Sequence, residues 1–111
     1  MGSYRFERLN ILVVDDNVHM RKLIVTILQA FGVVHVHQAD SGEAAWEICR
    51  EHNPDIIILD WMMEGMSGIQ FTRKVRTDPA TPNPFVPVIL LTGHTSLEHV
   101  RQARDAGINE F

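Results

Sequence analysis

With 111 residues, 45% of them hydrophobic and 22% charged, and a formal charge of −4, the chain has the size and composition of one globular domain. That balance gives no basic footprint for nucleic acid, and no stretch reaches the roughly 18 apolar residues of a membrane span. The start Met1-Gly2-Ser3-Tyr4-Arg5 lacks the apolar core of a signal peptide and the single Cys49 cannot form an internal disulfide, so a soluble cytoplasmic setting without membrane contact is expected.

Residues 1–8 read as an N-terminal tail and 9–111 as one domain. Ile11-Leu12-Val13-Val14 is a short unbroken apolar run of the kind found in strands buried on both faces, and it closes on Asp15-Asp16. Val18, Leu23, Ile24, Ile27, Leu28 and Phe31 then recur at helical spacing, and Gly32 stands at a stop position. Val33 to Ala39 reads as a second strand. Asp40 with Glu43 three residues on predicts a capped helix to about His52, within which Cys49 reads as a small buried hydrophobe.

Asp55 to Asp60 is a third strand, again ending on a carboxylate. A loop from Trp61 to Ser67 leads to a helix over about Gly68 to Arg76, after which the prolines between Asp78 and Pro84 stop helical structure. Pro87 to Thr92 is the fourth strand, and Thr95 with Glu98 predicts a helix to about Ala106, ended by Gly107. Strands alternate with helices throughout, which predicts an α/β fold with a doubly wound parallel sheet.

In such sheets ligands bind at the carboxyl ends of the strands. Asp15, Asp16 and Asp60 should therefore meet in one crevice, where three negative charges call for a cation. Hard oxygen donors suit Mg²⁺, and a carboxylate beside the ion can act as nucleophile toward a phosphoryl group, with a hydroxyl at Thr92 bonding a phosphoryl oxygen. Singly, each aspartate is more simply a turn or capping residue. Agreement among three strand ends favours function.

Ile11-Leu12-Val13-Val14-Asp15-Asp16, the segment from Ile57 to Gly68, Pro87 to Gly93 and Ala106-Gly107-Ile108-Asn109-Glu110-Phe111 together resemble the receiver domain of two-component response regulators, over about Leu9 to Phe111. The resemblance implies a flavodoxin-like sheet of order 2-1-3-4-5, and Asp60 accepting a phosphoryl group from a histidine kinase or histidine phosphotransfer protein. It implies Mg²⁺, or Mn²⁺, held by Asp16, Asp60 and the backbone carbonyl of Met62, with Asp15 acting through water. Thr92 and Gly93 match the switch hydroxyl and its neighbouring amide, Phe111 the switch aromatic, and Met62 and His94 positions that tune phosphorylation rates. A downstream output domain or protein would read the switched surface, the domain itself being a regulatory phosphoacceptor rather than an enzyme.

Two departures stand out against that pattern. Glu64 occupies the place of a proline, adding negative charge near the site, and Ser67 stands where an acidic or amide cap is usual. Receiver domains also carry a lysine three residues beyond the switch aromatic, then a last helix, whereas these residues end at Phe111. Three carboxylates against one divalent cation leave a negative charge in excess, so weak phosphorylation is expected of residues 1–111. An uncovered fourth strand would also favour self-association along its edge.

Lesser signals carry bland readings. His35 and His37 lie two apart on one strand face without a matching pair, as solvent-facing edge residues do. His94 and His99 read as helix-start histidines, and Met62, Met63 and Met66 as loop packing. Trp61 packs beside the site or meets a partner. A small-substrate phosphotransferase would want an acid two residues after its nucleophile, where Met62 stands, and a dinucleotide domain would want a G-x-G-x-x-G turn, which is lacking. A non-phosphorylated interaction module of the same fold is the remaining alternative.

Overall fold

A computed structural model of the chain describes residues 6–60, 63, 65–91 and 97–109, the last segment by backbone alone over 97–100. A 3₁₀ turn at Phe6–Arg8 leads into β1 (Asn10–Val14), α1 (Val18–Ala30), β2 (His35–Ala39), α2 (Gly42–His52), β3 (Ile56–Asp60), α3 (Gly68–Thr77), β4 (Val88–Leu91) and α4 (Leu97–Ala106). The four strands form one parallel sheet in the order β2-β1-β3-β4. This is the expected α/β arrangement over four strands; a fifth strand is not among the described residues. No helix of the described residues is long and apolar enough to cross a membrane.

Strand alternation divides the core in two. Leu12, Val14, Ile57, Leu59, Val88 and Leu90 point to one face, where Ala45, Trp46 and Cys49 of α2, Phe71 and Val75 of α3 and Ala103 of α4 pack on them. Ile11 and Val13 point to the other, against Val33 and the inner side of α1 (Ile24, Val25, Leu28). With β2 and β3 along its edges and helices packed on both its faces, all of Ile11 to Val14 is buried, which is why its sequence is an unbroken apolar run.

The two layers are unequal. α1 has no fully buried residue, and Leu23, Ile27 and Phe31 are 52%, 48% and 68% exposed. The periodicity rightly gave a helix with an apolar stripe, but α1 is the only described long helix on its side of the sheet, so part of that stripe faces outward. An apolar cleft of about 250 Å³ lies beside it, lined by Phe6, Leu9, Leu28, Phe31, Ile58 and Ile89 among others.

Two boundaries differ from the sequence reading for local reasons. α2 is capped by Ser41, not Asp40: Ser41 is extended (φ −154°, ψ 162°) and its Oγ accepts from the Ala44 N–H at 3.1 Å. Glu43 instead accepts from the Met66 N–H at 3.4 Å and so ties the loop after β3 to the start of α2. β2 begins at His35 rather than Val33, because the Val33 N–H turns back to the Leu28 carbonyl and closes the end of α1. Ser67 caps α3 in a reciprocal capping box with Gln70. The expected cap at Thr95 lies outside the described residues.

Candidate functional site

β1 and β3 are neighbours paired in register, Val14 opposite Leu59, so the residues that follow emerge side by side at the carboxyl edge of the sheet. The structure brings Asp15, Asp16 and Asp60 together there: a carboxylate oxygen from each lies within 4.8 Å of the others. Asp15 is 4% exposed, Asp60 half-buried and Asp16 open to solvent. Leu91 of β4 pairs with Asp60, so the fourth strand ends beside the same edge.

The turn after β1 is held at several points. The Asp15 N–H donates to the Ala39 carbonyl at 3.1 Å, and the Asn17 N–H donates to Asp15 Oδ1 at 2.9 Å. Asn17 caps α1, its Oδ1 accepting from the His19 and Met20 amides at 3.0 and 3.1 Å. Arg21, one turn into α1, donates from Nη1 to the Asp15 main-chain carbonyl at 2.7 Å and from Nε to Gln38 Oε1 at 3.2 Å. Sequence reading missed Arg21; its signal was a lone arginine one turn into the helix that follows the acidic pair.

The loop after Asp60 is secured from below. Met63 is buried in the main core and Met66 packs on its margin, as loop-packing methionines should. Met66 lies so close over Gly42 that a Cβ there would meet its side chain at 2.8 Å. With the Glu43 bond and the Ser67 cap, this fixes where the chain re-enters α3. Trp61, Met62, Glu64, Thr92, Gly93, His94 and Phe111 lie outside the described residues, as does the side chain of His99.

Three carboxylates converging within one ion's reach form an all-oxygen donor set, with one member exposed and so reachable from solvent. Such a set fits a hard divalent cation that retains water, as Mg²⁺ and Mn²⁺ do, and suits no soft metal.

The model of the response regulator receiver domain matches residues 11–111. The chain belongs to this family. Among relatives, the chemotaxis protein CheY of Pseudomonas aeruginosa is 33% identical over 103 residues, covering 93% of this chain and 82% of the relative. Among solved structures, the receiver domain of the histidine kinase CKI1 from Arabidopsis thaliana, determined with Mg²⁺, superposes with a TM-score of 0.85 at 31% identity, covering 93% of this chain and 81% of that one. Vibrio cholerae CheY4 gives 0.84 at 29% identity, over 92% and 82%. The receiver domain fold and the strand order of its first four strands follow from both sequence and structure.

Proposed function

We propose that this receiver domain accepts a phosphoryl group on Asp60 from a histidine kinase or histidine phosphotransfer protein and relays the change to an output domain or protein. The observation that carries the reading is the convergence of Asp15, Asp16 and Asp60 at the carboxyl edge of β1 and β3. Asp60 is the acceptor because it stands alone at its strand end, half-buried, with the acidic pair opposite. One carboxylate oxygen of Asp60 attacks phosphorus as the P–N bond to the donor imidazole breaks; the electron pair stays on the imidazole nitrogen, which takes a proton.

Asp16, Asp60 and the Met62 carbonyl would hold Mg²⁺ or Mn²⁺, with Asp15 acting through water. Bound there, the ion offsets charge on the phosphoryl oxygens. The chain's own part is placement: Asn17 and Arg21 fix the acidic turn, and the Ser67 cap and Glu43 fix the loop opposite. Thr92 and Gly93 then bond the phosphoryl oxygens, Phe111 changes rotamer with them, and Met62 and His94 set the rates. The same group turned over in this way is a regulatory phosphoacceptor, not a catalyst of an external substrate.

Mass analysis after incubation with acetyl phosphate and Mg²⁺ tests this reading. A phosphoryl adduct on Asp60, absent from Asp60→Asn, is the expected result. An adduct that survives Asp60→Asn, or none at saturating donor and Mg²⁺, would overturn it. The interaction-module alternative predicts the second outcome. Pairing of two copies along β4 belongs to the same reading; Asn109 already engages the N–H and C=O of Val88 there, and sedimentation independent of concentration would exclude such pairing.

A further inference from the structure

The two edges of the described sheet differ in how far their backbone is engaged. At β4, Asn109 Oδ1 accepts from the Val88 N–H at 2.8 Å and the Asn109 N–H donates to the Val88 carbonyl at 3.0 Å, so part of that edge is taken up. β2 pairs with β1 on one side only. The Ala39 carbonyl accepts from the Asp15 N–H, so the backbone groups of Ala39 face β1, and by alternation so do those of His37 and His35. Those of Val36 and Gln38 therefore point outward, and among the described residues no other element bonds to them.

Edge strands are commonly guarded by a charged side chain, a proline or a bulge. β2 has none of the three. From Val33 to Ala39 there is no Asp, Glu, Lys, Arg or Pro, in a chain whose net charge is −4. The five residues of β2 pair with five consecutive residues of β1, so no bulge turns the edge away. Helices cover its faces, Val36 packing toward α1 and Ala39 toward α2, and the side chains stand across the sheet rather than along its plane. Val34, just ahead of the strand, is 63% exposed and extends the same uncharged edge.

The best match to this edge is the same edge of another copy. In a two-fold antiparallel pair centred on Val36, the two Val36 residues exchange N–H to C=O bonds, and Val34 and Gln38 of each copy do so with Gln38 and Val34 of the other. His35 and His37 then stand opposite His37 and His35 of the second copy, at the closer spacing of a pair without ladder bonds, where aromatic cross-strand contacts form. No Asp, Glu, Lys or Arg enters the joint. An unrelated extended peptide would supply backbone bonds without this match of side chains. We propose that β2 is a self-association edge: a second copy of this chain pairs with it antiparallel, Val36 on Val36, and joins the two sheets into one. The joint uses neither the carboxylates of the acidic site nor β4, so it stands apart from phosphoryl transfer and from any pairing at the other edge.

Amide hydrogen exchange followed residue by residue at rising protein concentration, beside sedimentation, tests the pairing. A dimer is expected in which exchange at the Val36 and Gln38 amides slows by about tenfold or more. A chain that stays monomeric overturns the proposal, as does one whose association leaves these two amides unprotected because the copies meet along β4 or α1 instead. Val36→Pro removes the central outward N–H and spares the ladder to β1, in a setting where edge strands accept proline, and should abolish the dimer. His35→Lys puts a guarding charge at an exposed position and should weaken association by about tenfold or more, which keeps the test decisive if the proline variant does not fold. Thermal unfolding identifies the folded variants. A folded variant of either kind that dimerises as tightly as the wild type equally overturns the proposal.

Discussion

Arg21 Nη1 donates to the main-chain carbonyl of Asp15 at 2.7 Å, so a side chain of α1 sets the backbone from which the buried carboxylate hangs. The same guanidinium reaches Gln38 on β2, tying together the carboxyl ends of two strands. Arg21→Ala should cost about 1 kcal/mol of stability, the ordinary loss for such bonds, and weaken Mg²⁺ binding several-fold by loosening the Asp15-Asp16 turn. Lysine cannot make the forked contact and should restore little. Urea unfolding and Mg²⁺ titration read the two effects separately; a variant with full Mg²⁺ affinity would remove Arg21 from any positioning role.

Three carboxylates within 4.8 Å repel one another when no cation lies among them. Asp15→Asn keeps an Oδ1 to accept from the Asn17 N–H while deleting a nearly buried charge. In EDTA this variant should be more stable than the wild type by about 1 kcal/mol, and it should gain less stability on adding Mg²⁺. A less stable variant in EDTA would mean that the Asp15 carboxylate is held by favourable contacts rather than crowded by its neighbours.

Asp15, Asp16 and Asp60 were legible in the sequence because each closes a run whose only reading is a buried strand, and parallel pairing then puts strand ends side by side. Arg21, Ser41 and His52 were not, because their partners depend on which helix end meets which strand end. Periodicity gave α1 an apolar face but could not say whether that face is covered, since cover comes from another element. Ser67 was legible as a cap because the signal is local, whereas Asp40 lost its role to the serine beside it by one residue of backbone geometry.

Arg76 at the end of α3 closes the far side of the fold. Its Nη1 donates to the carbonyls of Pro84 and Val86 at 2.9 and 2.7 Å, its Nη2 to the Gly107 carbonyl and Asn109 Oδ1 at 2.8 and 2.9 Å, and its Nε again to Gly107 at 3.2 Å. Asn109 Oδ1 also accepts from the Val88 N–H, so one guanidinium connects α3, the start of β4 and the chain after α4. Arg76→Ala leaves partly buried acceptors unpaired and should cost about 2–4 kcal/mol. Gly107→Ala attacks the same joint: φ is 97° there, and a Cβ would stand 2.8 Å from Arg76 Nε. The two losses should be less than additive by denaturant titration; full additivity would show that the residues act independently.

His37 supplies the pH dependence. His35 is exposed on edge strand β2, as the sequence suggests, whereas His37 is half-buried, its ring stacked on that of His52 at the end of α2 with centroids 4.3 Å apart. Partial burial holds the His37 pKa below the ordinary histidine value, helped by His52 and His35; Arg8, which lines the same open pocket as these imidazoles, and Glu51, 3.9 Å from His52 Nε2, are the other charged groups around it among the described residues. A histidine whose folded value is depressed takes up its proton later in the folded than in the unfolded chain. Its contribution is therefore level above the ordinary value of about 6.5, and stability falls as pH drops through that value until the folded pKa is passed. Solvent access to the ring keeps the effect under about 1 kcal/mol. Carboxylates add their own losses at lower pH, so the comparison is between wild type and His37→Gln in EDTA from about pH 7.5 to 5.5, across the window set by this shift. The variant should lose less stability over that range, and His52→Gln should lessen the wild-type slope by removing one of the charges that opposes protonation of His37. Equal slopes in wild type and His37→Gln would mean that the imidazole cluster takes up its protons as freely folded as unfolded.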